Sequence, residues 1–593
     1  MSAVKCCTLG GSSRNLAPAA LIVGLSWGCA AHVIDRTDRG VYRVIEDRQR
    51  AALGATSDSH IGPEVGDVRG GSEMYSFTPH PTTPEVPEPF RQTPGAVDTQ
   101  TEGAPGIAGH VEPRGVSQMT ESIYTEQEQP QVKIFGLHET LAYASRHSRE
   151  VQDAKEELYL EALDLTLERH LWTPQFVGSI QTEFVDYGQV RDFDRAMTAV
   201  SEAAVTQRLP YGGDVSARII NTLMRDLGVH TTSGESGNFI LEADVPLLRG
   251  AGRVAYESRY SAERELIYAV RTYERFRRSF LVDIASNYFN LQQLKMAIAN
   301  TFHSYESRRD DWEKADFIAR MGQSRDVFEA SRAQSNFRQA EAALVSAKEQ
   351  YATSLDRFKI RLRMPVEEWL DVLDQDADAA AAALDGLLPD IETATAAEVA
   401  AKYRLDLLNE ADQVDDAKRG VLIAKNRILP DLDASGSVTL DTDPERLNSV
   451  SYNTERTTWR GLLALRMDDR KTERNAYRES LVNLRRAERD FERAVDDVRA
   501  DVRAAIRQIA QQENVRKIQA MSVEENQLRL DAAKAQYDLG KINNRDVVEA
   551  EDDLLNAKNS LARAVAAYRI AILEFRRDTE TLRVDDEGQL IRP

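Results

Sequence analysis

Cysteine is nearly absent from this sequence, and its absence removes two kinds of site. The three cysteines, Cys6, Cys7 and Cys29, fall within the first thirty of 593 residues. The rest of the chain therefore holds neither a disulfide framework nor a cysteine metal site. The nine histidines are scattered, and no His-Glu-x-x-His motif, phosphate loop or Gly-x-Ser-x-Gly elbow occurs. We expect no metal, no cofactor and no enzyme activity.

Aromatic residues, long apolar runs and basic charge are also scarce. Aromatic residues make up 7% of the chain, which favours long helices over a large compact core. Beyond the N-terminus, no run approaches the ~20 apolar residues that a membrane-spanning helix needs. The net charge is −21. Nucleic acid is not an expected partner, because phosphate contacts require a basic surface.

The N-terminus has the pattern of an export signal. Basic residues precede an apolar stretch at 16–28, which has the length of a signal-peptide core. Gly28 stands before Cys29, as at a bacterial lipoprotein cleavage site. We therefore expect a signal peptide at 1–28 and lipidation of Cys29. An ordinary signal peptide is the alternative.

Composition and repetition divide the remaining chain into segments. A linker rich in Pro, Gly and Ser has too little apolar surface to order itself. An acidic, Ala-rich linker separates two similar halves. The predicted segments are a lipid-anchored helical patch at 29–53, the linker at 54–131, a first repeat at 132–370, the acidic linker at 371–393, a second repeat at 394–581 and a tail at 582–593.

An internal repeat is the central feature of the sequence. Four landmarks occur twice in the same order, which chance does not explain. In the third landmark an Arg-Arg-Tyr pattern recurs at one constant offset: Arg249, Arg253 and Tyr256 match Arg470, Arg474 and Tyr477. The paired segments are 151–155 with 414–418, 171–176 with 428–432, 246–256 with 467–477, and 322–330 with 540–550.

Each repeat has the pattern helix, strands, very long helix, turn, helix. Phe176, Ile180 and Phe184 alternate with polar residues, as in a strand with a lipid-facing and a lumen-facing side. Proline-free runs at 251–309 and 475–539 predict helices, the first roughly 90 Å long. The other strand candidates are 238–246, 432–440 and 459–465, with an extra hairpin in about 205–227.

Two tryptophans lie beside predicted strand ends. Trp172 precedes the first strand, and Trp459 begins the last. Both are candidates for an interfacial aromatic girdle, and packing outside the membrane is the alternative for Trp172.

With these landmarks, the chain resembles the TolC-like outer membrane factor family over about residues 132–581. The resemblance is carried by the Val-Pro-Leu-Leu-Arg-Gly-Ala-Gly-Arg segment at 245–253, the Leu-Pro corners and the Asp-Val-x-x-Ala tips. It implies a mainly α fold with transmembrane β-strands, four strands in each protomer. Three protomers would form a twelve-stranded β-barrel continued by a long periplasmic α-helical barrel. Met467 departs from the family pattern, which usually has proline there.

The resemblance also implies a function. The protein would be an outer membrane channel subunit of a tripartite efflux or type I secretion system, lipid-anchored and with a large periplasmic part. Its partners would be two further copies, a periplasmic adaptor, an inner-membrane transporter and outer-membrane lipid. Two other functions stay open. One is a periplasmic adaptor, which has a single hairpin, and the other is a structural coiled-coil envelope lipoprotein.

The hairpin tips carry the residues expected to select and gate. By resemblance, Asp546 and Glu549 are acidic entrance residues. They lie three apart on one helix face, and threefold symmetry would make each a cation-attracting ring. Asp326 and Glu329 repeat this spacing. Helix capping or a solvated helix face is the alternative for these carboxylates. The gating ion-pair candidates are Arg325 and Arg545, and the hairpin-tip glycines are Gly322 and Gly540.

Overall fold

The computed structural model describes residues 30–60, 133–186, 195–226, 234–321, 324–373, 393–443, 451–539, 541–585 and 590–591. The chain divides into two compact units. One comprises residues 1–34, 62–134 and 367–371, and in its described part the Lys133 amide donates to the Trp369 carbonyl at 3.0 Å. The other comprises residues 35–61, 135–366 and 372–593 and holds most of both repeats. The predicted signal peptide, Cys29, Gly322 and Gly540 lie outside the described residues, as do 61–132 and 374–392.

The helices follow the predicted repeat. Each repeat has a short helix, a helix of 23 residues and then two long helices joined at a tip. Their bounds are α1 (Ala30–Leu53), α2 (Leu137–His147), α3 (Arg149–Leu171), a 3-10 helix (Gly252–Tyr256), α4 (Glu257–Arg320), α5 (Ser324–Arg361), α6 (Thr393–Tyr403), α7 (Leu405–Arg427), α8 (Lys471–Asp538) and α9 (Asn544–Asp578).

The length of α4 and α8 follows from their composition. They contain 64 and 68 residues without an internal proline or glycine, so nothing interrupts their hydrogen-bond ladders. At 1.5 Å per residue they extend about 96 and 102 Å. α4 ends eleven residues after the predicted end at 309, and α8 begins four residues before the predicted start at 475, so both long helices are confirmed. Each returns through a shorter helix, α5 or α9, so each repeat supplies one helical hairpin.

Two buried clusters, one in each repeat, hold the shorter helices against the long ones. Val41 and Ile45 of α1 are fully buried against Leu158 and Leu165 of α3 and against α4. The Tyr159 hydroxyl donates to Asp38 at 2.5 Å, which fixes α1 further. In the second repeat, α6, α7, α8 and α9 share a cluster that includes the fully buried Ile572. The predicted helical patch at 29–53 is therefore a packed element of the fold.

The strands are β1 (Lys133–Phe135), β2 (Gln175–Asp186), β3 (Arg195–Arg208), β4 (Asp214–Asp226), β5 (Gly234–Pro246), β6 (Leu370–Val372), β7 (Asp431–Thr442), β8 (Tyr452–Arg466), β9 (Arg583–Val584) and β10 (Leu590–Ile591). Six of them form one antiparallel sheet in the order β2-β3-β4-β5-β7-β8. Each of these six strands pairs with its neighbours over most of its length.

The six-stranded sheet has two chemically different faces. Side chains alternate along each strand, and the register aligns apolar positions from strand to strand. Apart from positions next to the loops, the charged side chains lie on one face only. The apolar face includes Phe176, Ile180, Val205, Ile219, Leu241, Val438, Trp459 and Leu463. The polar face includes Gln181, Glu202, Arg218, Glu242, Ser437 and Arg460.

The mainly α fold with one large sheet agrees with the expectation, but the number of strands in that sheet differs from the four that the resemblance implied. Six strands form the sheet, because the segment between β2 and β5 folds into a complete hairpin, β3 and β4. This hairpin begins ten residues before the predicted extra hairpin. Trp459 also differs from its prediction. It lies in the middle of β8, which begins at Tyr452, so it is not at a strand end.

Equivalent residues of the two repeats meet where strands join helices. Arg249 and Arg470, aligned by the sequence repeat, both reach the Asp431 carboxylate at the start of β7, at 3.5 and 3.6 Å. Arg470 also donates to the Leu429 carbonyl at 2.5 Å. Trp172 packs edge-on against Tyr256 at 5.0 Å between ring centroids, which supports the alternative for Trp172 of packing beside the helices. These contacts fix the sheet to the helical hairpins.

Among the described residues, no helix combines the length and the apolar character needed to cross a lipid bilayer. The same residues contain no cluster of three or more His, Cys, Asp or Glu side chains suited to a metal ion.

Candidate functional site

The candidate site lies at the ends of the helical hairpins farthest from the sheet. In the second hairpin, a small apolar core joins the end of α8 to the beginning of α9. Leu530 of α8 is buried with Val547, Ala550 and Leu554 of α9, and Ile542 of the connecting turn packs against them. The spacing of the α9 residues places them on one helix face. Polar residues therefore occupy the remaining faces of this tip.

Asp546 is exposed and caps α9. The Asn543 amide donates to its carboxylate at 3.3 Å, while the Asp546 amide donates to the Asn543 carbonyl at 3.0 Å. The Asp546 carboxylate thus satisfies an amide at the start of the helix, as the acidic residue of a capping box does, and a negative charge in the first helical turn also complements the helix dipole. The helix-capping alternative thus describes what Asp546 does within one chain. Its carboxylate remains open to solvent.

Glu549 is also exposed, and its ion-pair partner is on the opposite helix. Arg529 of α8 lies 3.7 Å from Glu549 and 2.5 Å from Asp553. These contacts cross the hairpin, so they hold α8 to α9. The ion pair that the structure gives Glu549 is with Arg529, and the predicted gating residue Arg545 is an exposed neighbour in the first turn of α9. Exposed pairs of this kind contribute little stability individually.

A buried ion cluster lies one turn further along α9 and joins the two repeats. Arg308 of α4 is 5% exposed, and its Nε lies 3.3 Å from the carboxylate of Glu551, which is 6% exposed. Its Nη2 donates to Asp552 at 2.8 Å and to the Val548 carbonyl at 3.0 Å. Lys534 of α8 reaches Glu551 at 3.0 Å. Three helices, α4, α8 and α9, therefore meet at one buried carboxylate.

This cluster was not predicted from the sequence, although a signal for it exists there. Glu551 follows Val547 by four residues and precedes Leu554 by three, so it occupies a core position of α9. Arg308 similarly continues the buried stripe of α4 that contains Thr301. A charge at a core position of a helix is costly unless it is paired, so it predicts a buried partner.

A second carboxylate lies beside this cluster. Burial, reinforced by the nearby Glu551 carboxylate, raises the pKa of Asp311 above its usual range. One of its oxygens, Oδ2, is buried with no hydrogen-bond partner in the described part of the chain. Burial also raises the pKa of Tyr537 in α8, with further contributions from Glu329 and Asp311. Carboxylates from α4 and α5 thus come close to the end of α8.

The first hairpin tip is more apolar than the second. Glu329 is exposed, while the Arg325 and Asp326 side chains lie outside the described residues. Large apolar side chains face solvent at the end of α4 and at the beginning of α5. Above the tip, Trp312 stacks on Phe337 at 5.3 Å between centroids, which joins α4 to α5. The exposed apolar residues are Phe317, Ile318, Met321, Val327 and Phe328.

This architecture has clear relatives among known structures. The CmeC outer membrane channel of Campylobacter jejuni is 15% identical, with a TM-score of 0.55 over 77% of this chain and 86% of that one. VceC of Vibrio cholerae is 12% identical, with a TM-score of 0.53 over 75% and 96% of the two chains. The open-state MtrE channel of Neisseria gonorrhoeae is 13% identical, with a TM-score of 0.54 over 75% and 88%.

Sequence comparison gives a narrower result. Residues 396–577 match the family model described as outer membrane efflux protein. Comparison with curated protein sequences gives no match. The matched segment runs from α6 almost to the end of α9, so it covers the second repeat and its tip. The second repeat thus carries the sequence pattern of the outer membrane efflux proteins, and about three quarters of the chain has the fold of the TolC-like outer membrane channels.

Proposed function

We propose that this protein is the outer membrane channel of a tripartite efflux or type I secretion system. Three copies would form a passive conduit, and a periplasmic adaptor would connect it to an inner-membrane transporter. The observation that carries this proposal is one sheet with an apolar and a polar face, fixed to helical hairpins about 100 Å long. Such a sheet suits lipid on one side and water on the other.

The edges of the sheet support assembly into a ring. β2 and β8 are the outermost of its six strands, and within the described residues neither has a neighbour on its outer side. Long open edges favour pairing with another chain. Because β2 and β8 run in opposite directions, β8 of one copy would pair antiparallel with β2 of the next. Repetition of this contact closes a barrel and leaves no edge in the membrane.

The hairpin tips would form the entrance on the periplasmic side. Asp546 and Glu549 are exposed on the first turns of α9, so a threefold axis would bring three copies of each carboxylate together. Such rings would favour cations and hold their copies apart by like-charge repulsion. Asp326 and Glu329 would add a second acidic level. Arg325 and Arg545, next to these carboxylates, would pair with neighbouring copies.

Single-channel recording tests the channel and its entrance together. The protein extracted in detergent should have the mass of a trimer and conduct in discrete cation-selective steps. Asp546→Asn with Glu549→Gln should lower the cation selectivity, because two rings of charge are removed. The matched control is Asp490→Asn with Asp496→Asn, which removes the same charge from α8 far from the tip. A protein that never conducts as a trimer would refute the channel, and equal selectivity in both variants would refute the entrance rings.

Membrane attachment is a separate proposal. We propose that Cys29 is lipidated after removal of residues 1–28, which would anchor the chain beside its own barrel. In support, α1, which begins one residue after Cys29, packs against α3 and α4 through Val41 and Ile45. Metabolic labelling with a radioactive fatty acid should mark the wild-type protein and leave Cys29→Ser unlabelled. Label that persists in the Cys29→Ser variant would overturn this assignment.

A further inference from the structure

The hairpin formed by β3 and β4 is an integral part of the sheet. β3 pairs with β2 from Gln175 opposite Thr206 to Asp186 opposite Arg195. β4 pairs with β5 from Asp214 opposite Asp244 to Met224 opposite Gly234. The two strands contain 14 and 13 residues, as long as the 12 to 15 residues of the other four. The hairpin therefore spans the same height as the rest of the sheet.

The two faces of the sheet continue across this hairpin. Met197, Val205, Ile219 and Leu223 align with the apolar face of β2 and β5. On the opposite face, Glu202 of β3 and Arg218 of β4 form an ion pair at 3.2 Å. A hairpin that lay outside the membrane would have no reason to keep its charges on one side. Its pattern is that of a strand pair between lipid and a water-filled lumen.

The turn of the hairpin is fixed to the junction between sheet and helices. The Leu209 amide donates to the Gly213 carbonyl at 2.9 Å, and the Gly252 amide donates to the Tyr211 carbonyl at 2.7 Å. Gly213 has a φ of +84°, and a Cβ there would lie 1.9 Å from the Asp244 carbonyl oxygen. Only glycine allows this close approach. The turn is thus shaped to keep the hairpin in the sheet.

We propose that the trimer closes an eighteen-stranded barrel and not a twelve-stranded one. This inference rests on the channel function proposed above. Each copy would contribute six strands in place of four, and the even number preserves antiparallel pairing at every junction between copies. With strands about 4.8 Å apart and tilted by about 40°, the backbone diameter would be about 36 Å, against about 24 Å for twelve strands.

A barrel of this width changes where cargo is selected. Side chains take about 5 Å from each wall, which leaves a lumen about 26 Å wide, compared with about 14 Å for twelve strands. The lumen wall would carry the polar face, including the Glu202–Arg218 pair. The exit would then admit water-soluble cargo of about 20 Å width, such as extended polypeptides and bulky amphipathic molecules. Size selection would fall to the helical tips alone.

Electron cryo-microscopy of the full chain in detergent tests the strand number directly. Eighteen strands around a threefold axis are expected. A conducting trimer with twelve membrane strands, and with β3 and β4 outside the barrel, would overturn this inference and leave the channel function intact. A protein that is neither trimeric nor conducting would instead refute the proposed function on which it rests.

Polymer exclusion measures the same property in an active channel. Poly(ethylene glycol) added on the external side lowers conductance only when it enters the barrel. Joining residue 186 to residue 234 by a short turn removes β3 and β4 and keeps β2 and β5 antiparallel. This variant should exclude polymers that the wild type admits. The control Glu202→Gln with Arg218→Gln keeps all strands and should retain the wild-type size limit. Equal limits for wild type and the hairpin deletion would contradict the wide barrel.

Discussion

Replacement of Arg308 by methionine should loosen the joint between the two helical hairpins. Arg308 contacts Glu551, Asp552 and the Val548 carbonyl, and it is 5% exposed. Removal of one member of a buried ion pair costs about 3–5 kcal/mol, because the other charge stays buried. Here Lys534 remains 3.0 Å from Glu551 and offsets part of that cost. We therefore expect a loss of about 2–3 kcal/mol at this joint.

The consequence for gating follows from which helices the cluster connects. Arg308 is on α4 in the first repeat, and Glu551 is on α9 in the second, so the pair resists separation of the hairpins. If opening separates them, a loss of about 2–3 kcal/mol raises the ratio of open to closed channels about 30- to 160-fold. Single-channel recording of open probability measures this directly. The thermal unfolding midpoint of the trimer should fall as well.

A neighbouring residue provides the control. Arg309→Met removes the same charge from the next position of α4, where the side chain is 44% exposed and pairs with Asp310 and Glu313. It should have little effect, because exposed pairs contribute about 0–1 kcal/mol. Arg308→Met combined with Glu551→Leu should recover much of the stability, since neither member of the pair is then left buried without the other. If Arg308→Met behaves like Arg309→Met in both assays, the reasoning is refuted.

Three further outcomes are expected. Gly213→Ala should destabilise the β3–β4 hairpin by more than about 2 kcal/mol, because it combines a positive φ with a backbone clash. Gly234→Ala is the control, because the added Cβ would meet no atom within 4 Å, and it should leave the hairpin stable. Limited proteolysis of the two variants measures the difference. Asp311→Asn should raise the thermal midpoint at neutral pH. The pKa of Asp311 is raised, so its ionised form destabilises the fold above that pKa. The increase in thermal midpoint should therefore vanish as pH falls below the ordinary value of 3.8. An increase of the same size at all pH values would contradict the raised pKa. Arg470→Met should lower the midpoint by loosening the corner around Asp431, more than the exposed Arg466→Met does.

Much of the fold could be predicted because the pattern of helices and strands occurs twice in the sequence, once in each repeat. The long helices were visible from proline-free runs with apolar residues at helical spacing. The strand beginning near Phe176 was visible because large apolar residues alternate with polar ones. Agreement between two repeats strengthened each weak local signal. The constant offset that aligns Arg249 with Arg470 also held in three dimensions, where both reach Asp431.

The hairpin of β3 and β4 was only partly predicted, for a reason that lies in its composition. Residues 195–204 are rich in alanine and include Glu202, and such residues favour helices or neither state. Small side chains alternate without a strong contrast in polarity, so period-two patterning is faint. Pairing with β2 decides the conformation, and that contact is tertiary. A strand whose conformation depends on pairing with other strands has a weak local pattern, so it is the hardest to predict from one sequence.

The candidate site likewise contains residues that the sequence indicated and residues that only the structure revealed. Asp546 and Glu549 were selected because their segment resembles the tip of the family, and their entrance role stays a prediction. A resemblance gives no partner, so the contacts of Glu549 with Arg529 and of Asp546 with Asn543 required the structure. Arg308 and Glu551 were missed because their partners are distant in sequence and their charges resemble those of any solvated helix. In the sequence, their core positions in α4 and α9 are the signal that sets them apart, and in the structure their burial separates them from the many exposed pairs around them.

The sheet and the hairpin tips are stabilised by interactions of different strength. This difference indicates which of the two regions can change its width. In the sheet of the proposed channel, continuous backbone hydrogen bonds join every strand to the next, and none could be released inside a membrane without a large cost. At the tips, the two hairpins meet through the contacts of Arg308 with Glu551 and Asp552, which water can replace when the helices part. The exit is therefore expected to keep one width, while the entrance changes. Selection by opening then belongs to the cluster around Glu551, which joins α4, α8 and α9.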